Sequence, residues 1–70
     1  MKMIPVDSSD LASVGYDSGS RTLFVRFLRG GTYSYSGVPE SVYRGLMNAP
    51  SKGKYFAANI KKSYPYRRIG

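Results

Sequence analysis

Residues 11–36, "LASVGYDSGSRTLFVRFLRGGTYSYS", constrain the fold more than any other part of the chain. Apolar and polar side chains alternate, β-branched and aromatic residues dominate, and glycines cut the run where the backbone can reverse. That is the pattern of strands joined by tight turns. "LASVGYD" and "RTLFVRFL" read as two strands separated by Asp17-Ser18-Gly19-Ser20. A two-residue Gly19-Ser20 loop of type II′, glycine first, sets Tyr16 opposite Leu23 and Val14 opposite Val25. The apolar side chains of both strands then share one face, which is what fixes a register when that face is buried.

The second glycine turn is read by the same test. A two-residue Gly30-Gly31 loop sets Phe27 opposite Ser34 and scatters the apolar residues over both faces. A three-residue loop, Arg29-Gly30-Gly31, pairs Phe27 with Tyr33 and Val25 with Tyr35. Leu23, Val25, Phe27, Tyr33 and Tyr35 then line one face, so the longer loop is the one predicted, with glycine in the left-handed region. The other face, with Phe24, Arg26, Leu28, Thr32, Ser34 and Ser36, is mixed and partly turned to solvent.

Helices follow the strands. In "GVPESVYRGLMNAP", Pro39 suits the first helical turn, where its missing N–H costs least, and Glu40 lies at the positive end of the dipole. Val38, Val42, Leu46 and Ala49 recur on one side, and Gly45 on that side permits close packing. Pro50 ends the segment. Ser51 is a good N-cap for a second helix, whose inner side carries Tyr55, Phe56, Asn59 and Ile60 and whose outer side carries Lys54 and Lys61. Asn59, as an amide on an apolar side, is expected to bond a nearby loop backbone. Pro65 stops this helix and leaves "YPYRRIG" as an extended tail or edge strand.

At 70 residues the chain has room for one core, so residues 1–70 are read as a single domain. The expected class is α+β. It comprises a three-stranded antiparallel meander, four-stranded if the tail pairs, followed by two helices packed on one face. The absence of cysteine rules out disulfides and thiolate metal sites and favours a cytoplasmic location. No apolar run approaches the ~20 residues of a membrane span. The start, "MKMIPVDSS", lacks the apolar stretch of a signal peptide.

Catalytic signatures are sparse. Histidine and cysteine are both absent, removing the commonest general base and the commonest strong nucleophile. Asp7 and Asp10 are read as turn caps with Ser8 and Ser9, and Asp17 as the opener of the first hairpin turn, rather than as metal ligands. Ser51 has only Lys54 as a conceivable activator, and a helix cap beside a solvated lysine explains both residues. No enzyme, metal or cofactor is expected.

The charge is lopsided. Residues 1–40 hold four cations against four carboxylates, whereas residues 41–70 hold seven cations and no acid. Arg44, Lys52, Lys54, Lys61, Lys62, Arg67 and Arg68 therefore carry the whole net charge of +7. Such a bias serves solubility, and it is also the footprint of a polyanion binder. Tyr64 and Tyr66 are interleaved with these cations, the combination used on single-stranded nucleic acid. The alternative role for both rings is to pin the tail to the core. Tyr33 and Tyr35 have two readings as well: core packing with hydroxyls at the rim, or a stacking platform for bases, with the register favouring core. "SKGKY" lacks the first glycine and the Ser or Thr of a nucleotide-binding loop, since those positions hold Asn48 and Tyr55. The helix start formed by Ser51, Lys52, Gly53 and Lys54 remains a candidate anion site, because its backbone N–H groups point outward.

The order and spacing of several marks resemble the KTSC domain family, named for a segment at the C-terminus of some lysyl-tRNA synthetases and found also as small standalone bacterial and phage-borne proteins. The marks are Ser8-Ser9, Gly15-Tyr16-Asp17, Tyr33-Ser34-Tyr35, Val38-Pro39, Ser51-Lys52-Gly53, Tyr55-Phe56, Ile60 and Tyr64. They extend over nearly the whole chain. Members often carry asparagine after the aromatic pair, where this chain has Ala57, with Asn59 the nearest substitute. The resemblance implies RNA binding through the synthetase context and brings no catalytic set. The expectation is a non-enzymatic module that binds nucleic acid, RNA rather than DNA, through Arg44, Lys52, Lys54, Lys61, Lys62, Tyr64, Tyr66, Arg67 and Arg68. The alternative is a protein-interaction module, such as a phage-encoded modulator that uses the same basic end on an acidic host protein. Six of these cations, Lys52, Lys54, Lys61, Lys62, Arg67 and Arg68, neutralising six phosphates of a single strand predict a log–log salt slope of roughly −4.

Overall fold

A computed structural model describes residues 2–70. They run β1 (Ile4–Pro5), β2 (Leu11–Asp17), β3 (Thr22–Phe27), β4 (Thr32–Tyr35), α1 (Glu40–Asn48), α2 (Lys52–Asn59) and β5 (Tyr66–Arg68). The strands form one antiparallel sheet in the order β1-β2-β3-β4-β5. The α+β meander is present, widened by a short edge strand on each side. Among the described residues no helix is long and apolar enough to cross a membrane.

The first hairpin has the expected register, with Val14 opposite Val25 and Tyr16 opposite Leu23. Its turn is different. The ladder ends at Asp17 opposite Thr22, leaving four residues outside it, and the left-handed residue is Arg21 (φ 55°) instead of Gly19. Side chains account for this. An Asp17 carboxylate oxygen accepts from the Gly19 N–H at 3.1 Å and the other accepts from the Ser20 hydroxyl at 3.0 Å. The Arg21 carbonyl, turned out by that conformation, accepts from the Val38 N–H at 2.9 Å. An irregularity between Leu11 and Ser13 shifts the pairing by one residue. Leu11 thereby joins Val14 on the inner face, and both are fully buried.

The second loop has the predicted length of three residues but lies one position earlier, at residues 28–30. Val25 pairs with Tyr33 and Leu23 with Tyr35, a two-residue slip from the expected register. Because side chains alternate with period two, the slip leaves Leu23, Val25, Phe27, Tyr33 and Tyr35 on the predicted face. The Gly30 N–H donates to the Phe27 carbonyl at 3.0 Å, and the Phe27 N–H to the Gly31 carbonyl at 3.1 Å. Gly30 (φ 107°) and Gly31 (φ 90°) are both left-handed. Space is short at Gly31 as well, since a Cβ there would lie 3.3 Å from the Tyr33 ring and 3.5 Å from the Arg68 guanidinium.

Both helices cover this inner face. Leu11, Val14, Leu23, Val25, Tyr35, Val38, Leu46, Phe56 and Ile60 form the core. Tyr16 ties α1 to the sheet, its hydroxyl donating to the Val38 carbonyl at 2.6 Å and its ring stacking on Tyr43 at 4.8 Å. Gly45 does permit close helix packing: an added Cβ would fall 2.7 Å from Tyr55 Cζ on α2. Ser51 caps α2 as expected, accepting from the Lys54 N–H. The helix ends at Asn59, well before Pro65, and residues 60–63 form a turn with the Ser63 N–H bonded to the Ile60 carbonyl at 3.1 Å. Asn59 is exposed, contrary to its expected inward side, and its amide donates to the Tyr55 carbonyl of its own helix at 3.1 Å. The chain then returns to the sheet as β5, laid against β4.

Candidate nucleic-acid interface

The return of β5 builds an open cleft. Tyr66 lies opposite Tyr35 and Arg68 opposite Tyr33 on the inner face, while Arg67 lies opposite Ser34 and points to the other side of the sheet. Five rings make a closed circuit. Centroids are 5.6 Å apart for Phe27–Tyr33, 5.9 Å for Tyr33–Tyr66 and 5.6 Å for Tyr66–Tyr35. Tyr35–Phe56 at 5.3 Å and Phe56–Phe27 at 5.5 Å complete it. Both pairs involving Phe56 are edge-to-face, a favoured aromatic geometry. Phe56 and Tyr35 are buried, Tyr33 and Phe27 half-buried, and Tyr66 is 61% exposed.

These rings floor an open cleft of about 900 Å³, closed on its other sides by Ala57, Lys61, Lys62, Tyr64 and Pro65 and by the turn carrying Arg29 and Gly30. Asp10 completes the wall. Arg29, Lys61 and Lys62 are exposed, and among the described residues none of them forms a salt bridge. The Tyr35 phenol is pushed up to about 12, chiefly by burial and secondarily by the neighbouring Tyr66 and Tyr33 phenols.

The expected binding set divides by position. Lys61, Lys62, Tyr64 and Tyr66 line the cleft. Arg68 adjoins it beside Tyr33, its Nε donating to the Gly70 carbonyl at 2.9 Å. Arg67 is carried to the opposite face by strand alternation. Arg44 is not part of the cleft: it pairs with Glu40 at 2.7 Å, one helical turn away on α1. Its charge is answered locally. Lys52 is drawn back to cap α1, its Nζ donating to the Ala49 carbonyl at 3.1 Å. Lys54 is exposed but outside the cleft lining.

The start of α2, Ser51 to Lys54, faces the protein's own chain. A Cβ at Gly53 would lie 3.5 Å from the Asp10 Cβ and 3.8 Å from the Ser8 Oγ. The segment carrying a carboxylate thus already stands at the positive end of this dipole. Residues 8–10 also depart from their expected roles. Ser8 is the cap, its Oγ accepting from the N–H groups of Asp10 and Leu11 at 3.1 and 3.2 Å. Arg29 and Asp10 are the charged cleft residues missing from the sequence-derived set. Neither belongs to the basic C-terminal segment that drew attention to the others. They meet because the Leu28 N–H bonds the Asp10 carbonyl at 2.9 Å, joining segments far apart in the chain.

Comparison with known proteins gives one consistent result. The profile of the KTSC domain matches residues 7–64. The crystal structure of a KTSC domain protein from Yersinia pestis superposes with a TM-score of 0.96 and is 43% identical, covering 99% of this chain and 97% of its own. An uncharacterised protein of Stutzerimonas stutzeri is 40% identical over 70 residues, 99% of each chain. A lysine–tRNA ligase of Trichormus variabilis is 36% identical over 67 residues, which span 96% of this chain but 12% of the ligase.

Proposed function

The chain belongs to the KTSC domain family, and from that premise we propose that it is a cytoplasmic, non-enzymatic module that binds RNA. The observation that carries this reading is the cleft itself. Three cations that form no salt bridge among the described residues, Arg29, Lys61 and Lys62, stand around a floor of aromatic rings, with Arg68 beside it. Cations along a groove neutralise phosphates, and exposed ring faces take stacked bases whatever their identity. Tyr66 offers such a face, and Tyr64 flanks it. The kinship with a segment of lysine–tRNA ligases, enzymes whose name states a tRNA substrate, favours RNA over DNA.

The footprint is narrower than the charge count implied. Arg44 is paired on α1, Lys52 caps α1, and Arg67 points to the far face. Four cations at the cleft give a log–log salt slope of about −3 on single-stranded RNA, shallower than six would give. Fluorescence anisotropy with random-sequence RNA and DNA of equal length, between low and moderate salt, measures it. Submillimolar binding with that slope, stronger for RNA, supports the reading. Absence of binding at low salt, with capture of one acidic protein by the same surface, would replace it with a protein-interaction module.

A further inference from the structure

The cleft wall contains one carboxylate, which stands near the start of α2 but has no bonded partner there among the described residues. Asp10 lines the same cleft as Arg29, Lys61 and Lys62. Among the described residues it makes no ion pair, the one salt bridge being Arg44–Glu40. Its turn is held by Ser8 Oγ, and its link to the 28–30 loop is made by its backbone carbonyl. The residue is exposed, its Cβ lies beside the first turn of α2, and among the described residues its carboxylate oxygens accept no hydrogen bond.

In a site that only holds phosphates a carboxylate is a loss, because it repels every phosphate oxygen that approaches. It becomes useful when the ligand presents hydrogen-bond donors close to its charges, as nucleobases do. An ionised carboxylate is an acceptor only, with two oxygens side by side. Guanine alone among the RNA bases offers two adjacent donors, N1–H and N2–H, on one edge. Cytosine and adenine set an amino group beside an acceptor nitrogen, and uracil sets its single N–H between two carbonyls. Each of those edges turns a lone pair toward one carboxylate oxygen.

Resting on the RNA reading above, we propose that Asp10 selects an unpaired guanine held in the cleft. The carboxylate accepts from guanine N1–H and N2–H, the base stacks against the exposed Tyr66 ring, and the adjoining phosphates lie on Arg29, Lys61 and Lys62. The guanine edge engaged is the one that cytosine occupies in a duplex. Recognition of this kind therefore selects loops, bulges and single strands.

The test uses the full chain and fluorescein-labelled uridine oligonucleotides with one central guanosine, inosine, adenosine or uridine. Inosine keeps N1–H and lacks the N2 amino group. The guanosine form is expected to bind about tenfold tighter than the other three, within the range of a good bidentate base contact. Asp10→Asn is expected to erase that preference while tightening binding of the all-uridine strand, since a repulsive charge has left the cleft. A purely structural Asp10 would lower the melting temperature without changing base preference. Equal binding of all four strands to the unsubstituted protein overturns the guanine inference and leaves RNA binding standing. Failure to bind any strand at low salt overturns both.

Discussion

The two hairpin turns of this sheet solve the same reversal with opposite means. The β2–β3 turn is tied by side chains: Asp17 holds Gly19 and Ser20, and the Ser20 hydroxyl also reaches Thr22 at 2.9 Å. Its polar groups are committed to the turn itself. The β3–β4 turn is closed by backbone bonds and two left-handed glycines, so its side chains are left over. Leu28 is 57% exposed and Arg29 stands free at the cleft mouth. A turn that needs no side chain for its own geometry can present one to a ligand, and that is where the arginine of the cleft lies.

The contrast is tested most severely by charge. Replacing Arg29, Lys61 and Lys62 together by glutamine is expected to lower RNA affinity about a hundredfold at moderate salt, from roughly fivefold for each phosphate no longer neutralised. Arg21→Gln in the other turn, and Arg44→Gln on α1, should leave affinity within about twofold, since surface charges distant from the site are screened. Anisotropy titrations of the three variants measure both halves, and equal losses would erase the distinction between the turns.

Glycine chemistry gives the next effect. Gly31→Ala forces an L-residue to a left-handed φ and crowds Tyr33, costing about 1–2 kcal/mol in denaturant unfolding. Gly19→Ala requires no such conformation, and its Cβ would meet the Asp17 carboxylate at an ordinary 3.4 Å. It should change stability by less than about 0.5 kcal/mol. A type II′ turn at Gly19 would have made both substitutions costly.

The smallest effect is spectroscopic and reads the floor beneath the Arg29 turn. The Tyr35 phenol, at about 12 in the fold against 10.0 for an ordinary tyrosine, binds its proton more tightly when folded. Its contribution to stability is complete below pH 10 and is lost as pH rises toward 12. Absorbance at 295 nm should therefore contain a late tyrosine component in the folded chain that vanishes in guanidinium. Tyr35→Phe should remove the same component.

Much of the fold was legible because its signals are local. Prolines bounded α1 and Ser51 opened α2, and the alternation from Leu23 to Tyr35 named the buried face even with the register slipped by two. The detailed closures were not legible. Asp17 competes with Gly19 for control of the first turn, and the irregularity at residues 11–13 is decided by Leu11 seeking the core. β1 is two residues long and carries no pattern of its own. The site was half legible. Lys61, Lys62, Tyr64 and Tyr66 stand close in sequence and stay together in space, whereas Arg44 follows its helix neighbour Glu40 and Arg67 follows the alternation of β5. Arg29 and Asp10 enter through one backbone hydrogen bond that no sequence pattern announces.

The strand that closes the cleft is also the last rung of the sheet, and it is written Tyr-Arg-Arg. Exposed strand edges invite copies of a protein to zip together into aggregates. Two copies meeting along this rung would press arginine against arginine. The cationic rung thus guards against runaway self-assembly while leaving the border open to a negatively charged visitor.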